Sequence, residues 1–122
     1  SDLSLRNMRE LYSNLNENRL QEKFCDVFVK VENRTFGCHR IILVSAMKYF
    51  ETGKFNEGKK EEIELEGISA DGFEGLLNYI YTDEITNVDN VFDLLKTSNL
   101  LIVKRLADLC VEYIRANVNS IP

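Results

Sequence analysis

The chain predicts an α+β domain, and three observations carry that expectation. Apolar residues alternate in a strand near residue 27, the apolar period changes to that of a helix by residue 41, and three further helical stripes follow a lone third strand. Short strands followed by several helices imply a small sheet enclosed by helices.

The elements follow in order. Leu5, Met8, Leu11, Tyr12 and Leu15 recur at three- and four-residue steps, which predicts an amphipathic helix over residues 5–15 with Ser4 or Asp2 as its cap. Val27, Val29 and Val31 alternate with Phe28 and Lys30 as in a strand with one face on a core, and a short second strand completes a hairpin. Ile41, Ile42, Val44, Ala46, Met47, Tyr49 and Phe50 are then spaced as a helix that is apolar around most of its circumference. Such a helix is expected to be largely buried, in the middle of the domain. Gly53 and Gly58 bracket a short polar segment containing Phe55, after which Ile63 and Leu65 alternate with glutamates as an edge-like strand. Phe73, Leu76, Leu77, Ile80 and Tyr81 form a helical stripe over residues 70–81. Val91, Phe92, Leu94, Leu95 and Leu100 form another over 89–101, and Leu106, Leu109, Cys110, Tyr113 and Ile114 a last one over about 103–118. Pro122 is the only proline, so no proline breaks these elements from within.

Length and composition bound the function. One core is expected from 122 residues, and 44% apolar with 29% charged residues is a globular mixture. No apolar run approaches the roughly 20 residues that span a bilayer, and the N-terminus lacks the pattern of a signal peptide, so no membrane partner is expected. The cytosol or the nucleus is the expected location. A formal charge of -5 argues against nucleic acid, and Lys59-Lys60 is flanked by Glu57, Glu61 and Glu62. Cys25, Cys38 and Cys110 are odd in number and lie among apolar neighbours, which reads as buried reduced thiols. Their spacing suits no zinc knuckle, and His39 is the only histidine, so neither metal nor cofactor is expected. A Cys38-His39 dyad is disfavoured because neighbours at a strand-to-helix junction point apart and no glycine-rich oxyanion loop accompanies them. A non-catalytic protein is therefore expected.

Residues 24–50, FCDVFVKVENRTFGCHRIILVSAMKYF, resemble the start of a BTB/POZ domain: a Cys-Asp-Val strand, a hairpin, His-Arg, an aliphatic pair and a Tyr-Phe. IELEGISADGFEGLLNYIYTDEI over residues 63–85 resembles the family's next strand and helix, and DLLKTSNLLIVKRLADLC over 93–110 the helical pair after it. The resemblance covers nearly the whole chain. The entry through Phe24-Cys25-Asp26-Val27 is most similar to the kelch-like branch, in which this domain precedes a second helical domain and a propeller.

That resemblance implies a BTB/POZ fold, with residues 1–20 as an N-terminal dimerisation helix and 24–118 as the core of one domain over 1–122. Leu5, Met8, Leu11, Tyr12 and Leu15 would pack against a second copy. Asp26, Arg40 and His39 would be structural: the first two line a charged pocket near the dimer axis, and the histidine opens a helix as a hydrogen-bonding residue. Phe55-Asn56-Glu57 fits the family's hydrophobic-any-glutamate rule for binding the N-terminal domain of cullin-3, with Tyr81 and Leu100-Leu101 as the second part of that contact. The connection from Phe50 to Phe55 is shorter than is usual in the family. The implied role is a homodimeric adaptor in a ubiquitin ligase complex, with substrate proteins bound by downstream domains absent from this sequence. The alternatives are the dimerisation domain of a transcription factor that recruits corepressors, and a self-assembling scaffold without cullin contact.

Overall fold

The computed structural model describes residues 1–52, 61–86 and 88–119. Three strands, β1 (Val27–Val31), β2 (Arg34–Cys38) and β3 (Glu61–Leu65), form one mixed sheet in the order β2-β1-β3. β1 and β2 make an antiparallel hairpin in which Val31 faces Arg34 across a two-residue loop, and Glu32 turns the chain with φ 55°. β3 returns parallel to β1, with Val29 opposite Ile63, so it lies at a sheet edge where its glutamates oppose pairing with another strand. The alternation expected of β1 is realised: Val27, Val29 and Val31 are fully buried, and Lys30 is exposed.

Among the described residues five helices surround the sheet or pack on one another: α1 (Asp2–Leu20), α2 (Arg40–Ala46), α3 (Ala70–Thr82), α4 (Val91–Leu100) and α5 (Lys104–Ala116). α3 is the central one. It touches α1 on one side and α4 on another, and Phe73 meets Phe36 of the sheet edge-on at 5.2 Å between ring centroids. Its start is doubly capped, by the Ser69 hydroxyl, which accepts from the Gly72 N–H at 3.0 Å, and by a Glu32 carboxylate oxygen, which accepts from the Ala70 N–H at 2.6 Å. Gly72 permits the close approach of α4, since a Cβ there would stand 2.4 Å from Thr97 Oγ1 and 3.0 Å from the Asp93 carbonyl.

Two expectations are corrected. The first helix begins earlier and runs further than the apolar stripe implied, from Asp2 to Leu20, and its cap is Ser1 rather than Ser4 or Asp2: the Ser1 hydroxyl accepts from the Ser4 N–H at 3.2 Å. The second correction is larger. The apolar residues from 41 to 50 do not form one buried helix, because α2 ends at Ala46, Met47 is extended (φ -129°, ψ 117°), and a 3-10 turn follows over Lys48–Thr52. That break turns Phe50 into the core beside Leu43 and Met47 while Ile41, at the start of α2, is left 72% exposed. Seven apolar residues spread over two elements cannot share one helical face.

Candidate interaction surfaces

α1 has two halves with different surroundings. Its C-terminal half is clamped to α3 by the buried Arg19, whose Nη2 donates to Asn16 Oδ1 and to Asn78 Oδ1, both at 2.7 Å. The same guanidinium lies 5.1 Å above the centre of the Tyr81 ring. Burial pulls its pKa below the usual arginine value, and the surrounding thiols, phenol and Glu74 oppose that shift. Leu15 packs on the same core. Leu5, Met8 and Leu11 of the N-terminal half are 52%, 52% and 59% exposed. The five-residue stripe read from the sequence therefore divides: Tyr12 and Leu15 are half-buried against their own subunit, and Leu5, Met8 and Leu11 face outward.

The junction between β2 and α2 gathers the polar residues singled out in the sequence. His39 occupies the cap position of α2 but makes no side-chain cap bond, so the Asp26 carboxylate takes that role from outside, accepting from the Arg40 N–H at 2.7 Å. The Arg40 guanidinium approaches Glu61 of β3 at 3.8 Å, with both side chains 14% exposed. A pair this withdrawn from water needs both members, because removing one leaves a buried charge. His39 is turned the other way. Its Nε2 lies 2.8 Å from the Lys23 carbonyl, which can only accept, so Nε2 carries a proton. Its Nδ1 lies 2.8 Å from the Tyr81 hydroxyl, whose oxygen accepts from the His39 backbone N–H at 3.0 Å.

Tyr81 thus ties α1, α3 and the β2–α2 junction together, and this corrects its expected place in a cullin contact. It is 1% exposed, Leu101 is 0% exposed, and of that set Leu100 alone reaches the surface among the described residues. Burial pushes the Tyr81 phenol well above its usual range. Phe55, Asn56 and Glu57 lie outside the described residues.

The thiols are those of a packed interior. Cys25, Cys38 and Cys110 are free and buried, and burial pushes Cys38 up to about 12, the direction opposite to nucleophile activation. The thiol near the histidine is that of Cys25, 3.8 Å from His39 Nε2. Among the described residues no three potential metal ligands cluster, and no helix is long and apolar enough to cross a membrane.

Sequence reasoning missed the clamp of Arg19 on Asn78, the Glu61 partner of Arg40, the tie of His39 to Tyr81, and the exposed Phe24, Ile41 and Ile102. The end of α1 around Arg19 is polar, Asn16-Glu17-Asn18-Arg19, so nothing in the sequence marked this arginine out for the clamp. The arrangement that results is a packed core bearing exposed apolar side chains on α1, α2 and the α4–α5 turn, surface that a protein-interaction domain can use. The BTB/POZ domain model matches residues 15–118, and the chain belongs to that family. BTB domains generally dimerise and mediate protein interactions, and the family's members are typically non-catalytic adaptors or scaffolds.

Relatives of two kinds stand at similar distance. Kelch-like protein 40 of Xenopus tropicalis is 33% identical over 98 residues, 77% of this chain and 16% of that protein. Zinc finger and BTB domain-containing protein 44 of Rattus norvegicus is 27% identical over 114 residues, 90% of this chain and 25% of that protein. The chain thus spans a quarter or less of these relatives' length. Among solved structures, the BTB domain of zebrafish PATZ1 has a TM-score of 0.79 at 27% identity, covering 91% of this chain and 93% of that one. The BTB domain of human gigaxonin has a TM-score of 0.75 at 28% identity, covering 88% and 91%.

Proposed function

We propose that this chain is a homodimeric adaptor module that holds substrate proteins, carried by other parts of a longer protein, against cullin-3 in a ubiquitin ligase. The observation that carries the dimer is the outward-facing half of α1: Leu5, Met8 and Leu11 form an apolar stripe on a helix whose other half is fixed to its own core. A second copy of the same stripe covers it, and the charged residues at the β2–α2 junction hold α2 in place. The kelch-like resemblance and the Phe55-Asn56-Glu57 pattern support the cullin-3 partner, and Leu100 supplies an exposed apolar side chain on the helical side. The mechanism is proximity. A dimer raises the local concentration of substrate near the ligase and adds avidity for paired sites. The adaptor is non-catalytic, and a location in the cytosol or the nucleus accords with that role.

The test has two readouts. Light scattering at micromolar concentration is expected to give a dimer mass, and Leu5→Asp with Met8→Asp a folded monomer. Calorimetric titration with the N-terminal domain of cullin-3 is expected to saturate at one cullin per subunit, and Phe55→Ala or Glu57→Lys to weaken it while the dimer persists. A dimer that binds no cullin would instead favour a transcription-factor domain recruiting corepressors, or a self-assembly scaffold. The zinc-finger relative, aligned over 90% of the chain, is the observation on the side of the first of these.

A further inference from the structure

One row of side chains crosses the sheet and is covered unequally. Phe36, Val29 and Ile63 stand side by side on β2, β1 and β3 and face the core. Val29 on the central strand is 0% exposed and Phe36 is 9% exposed, whereas Ile63 at the β3 edge is only half-buried. Among the described residues no strand pairs with β3 on the side away from β1, so that row of backbone groups has no ladder partner. The edge runs as far as Gly67, whose φ of 84° turns the chain away.

The charges along this edge select an occupant. Glu61, Glu62, Glu64 and Glu66 place four carboxylates within six residues. Glu61 is engaged with Arg40, while Glu62, Glu64 and Glu66 are exposed and form no ion pair among the described residues. Across the existing ladder Lys30 stands opposite Glu64, the opposite-charge arrangement that favours neighbouring strands. A like strand, a second β3 included, would set carboxylate against carboxylate. A basic strand would repeat the Lys30 and Glu64 arrangement on the open side. Past Leu65 the edge leads into a cleft lined by Glu32, Glu64, Leu65, Glu66, Ile68 and Lys96, in which carboxylates outnumber the ammonium group three to one.

We propose that β3 accepts a fourth strand from a partner protein, an extended basic segment that pairs along its open edge. Alternate lysines or arginines of that segment meet Glu62, Glu64 and Glu66 on the outer face of the sheet, and the intervening apolar residues cover Ile63 on the inner face. Main-chain hydrogen bonds supply the attachment, and charge complementarity supplies the selection. The inference rests on the reading of this domain as a protein-interaction module but not on cullin-3 as the partner.

The test is a titration of the isotope-labelled protein with a synthetic peptide alternating lysine and valine, followed by amide chemical shifts and hydrogen exchange. The expected result is shift changes concentrated at Glu62, Ile63, Glu64 and Leu65 that weaken with added salt, with slower exchange of the edge-facing amides of β3. Reversing charge at two exposed positions with Glu62→Lys and Glu64→Lys should leave the fold intact and lower affinity about tenfold. Methylating every second peptide nitrogen blocks one edge of the peptide. One phase of methylation should abolish binding and the other should preserve it, a difference that charge attraction without strand pairing would not give. Absence of localised shifts at millimolar peptide would overturn the proposal. So would equal affinity for both methylated peptides, for an alternating lysine–serine peptide, or for an alternating glutamate–valine peptide. Loss of cullin-3 titration heat in Phe55→Ala bears on the adaptor reading alone, and the peptide titration bears on this edge alone.

Discussion

α2 and α3 are both drawn from apolar-rich stretches, yet they end in opposite situations. α3 buries Phe73, Leu76, Leu77, Tyr79 and Tyr81 among α1, α4 and the sheet, whereas α2 buries Leu43 alone. The difference is one of neighbours rather than composition. A helix with elements on several sides has its apolar residues covered by its own subunit, while a short helix at the rim presents the surplus to whatever arrives. α1 repeats the contrast within one helix, covered where Arg19 clamps it and open where Leu5, Met8 and Leu11 project.

The largest expected effect separates the two helices directly. Leu76→Ala empties a site with no exposure and should cost about 3 kcal/mol in urea unfolding. Ile41→Ala, measured under dilute conditions where the chain is monomeric, should stay within about 0.5 kcal/mol of wild type. Comparable losses at both positions would mean that α2 is as deeply packed as α3 and would break the comparison.

An intermediate effect sharpens it through pH. Burial pushes Cys38 from 9.0 up to about 12, against the opposing pull of Arg19, and Cys110 from 9.0 up to about 11. The folded protein therefore holds these protons more tightly than the unfolded chain. Stability from this source is fully present below pH 9 and is lost as pH rises toward the folded values. Each thiol should remove about 1 kcal/mol by pH 10. Urea midpoints at pH 7, 8 and 10 should be flat over the first step and fall over the second, with a smaller fall in Cys38→Ala. A midpoint unchanged at pH 10 would mean that water reaches the thiol in the folded state.

What was legible in the sequence follows the same division. β1 and α3 could be read because each has a clean period, two for Val27, Val29 and Val31, and that of a helix for Phe73, Leu76, Leu77 and Ile80. The turns and helix ends could not. Among the described residues, left-handed non-glycine positions fall on Glu22, Phe24, Glu32, Asp83 and Ile102, so the glycine that ordinarily marks such a turn is missing at each. The break at Met47 has no glycine or proline to announce it, which is why α2 read as longer and deeper than it is. At the candidate surfaces, the α1 stripe was visible, but the point where it divides depends on Asn78, distant in sequence. Tyr81 and Leu101 were misplaced for a related reason: apolar spacing reports that a face is apolar, not what covers it.

The smallest expected effect concerns how α2 is held at the rim. Asp26 caps it by accepting the Arg40 N–H at 2.7 Å, and an asparagine at that position keeps an oxygen able to do the same. Asp26→Asn should therefore cost the subunit less than about 1 kcal/mol, the difference between a charged and a neutral acceptor. Asp26→Ala removes the acceptor and should cost about 1 kcal/mol or more. The dimer is expected to be more sensitive than the subunit, because the family resemblance implies that Asp26 and Arg40 line a pocket near the dimer axis. Weaker dimerisation of Asp26→Asn by sedimentation, at nearly unchanged urea midpoint, would make the charge a determinant of assembly. Equal losses in both measurements would make it a cap and nothing more.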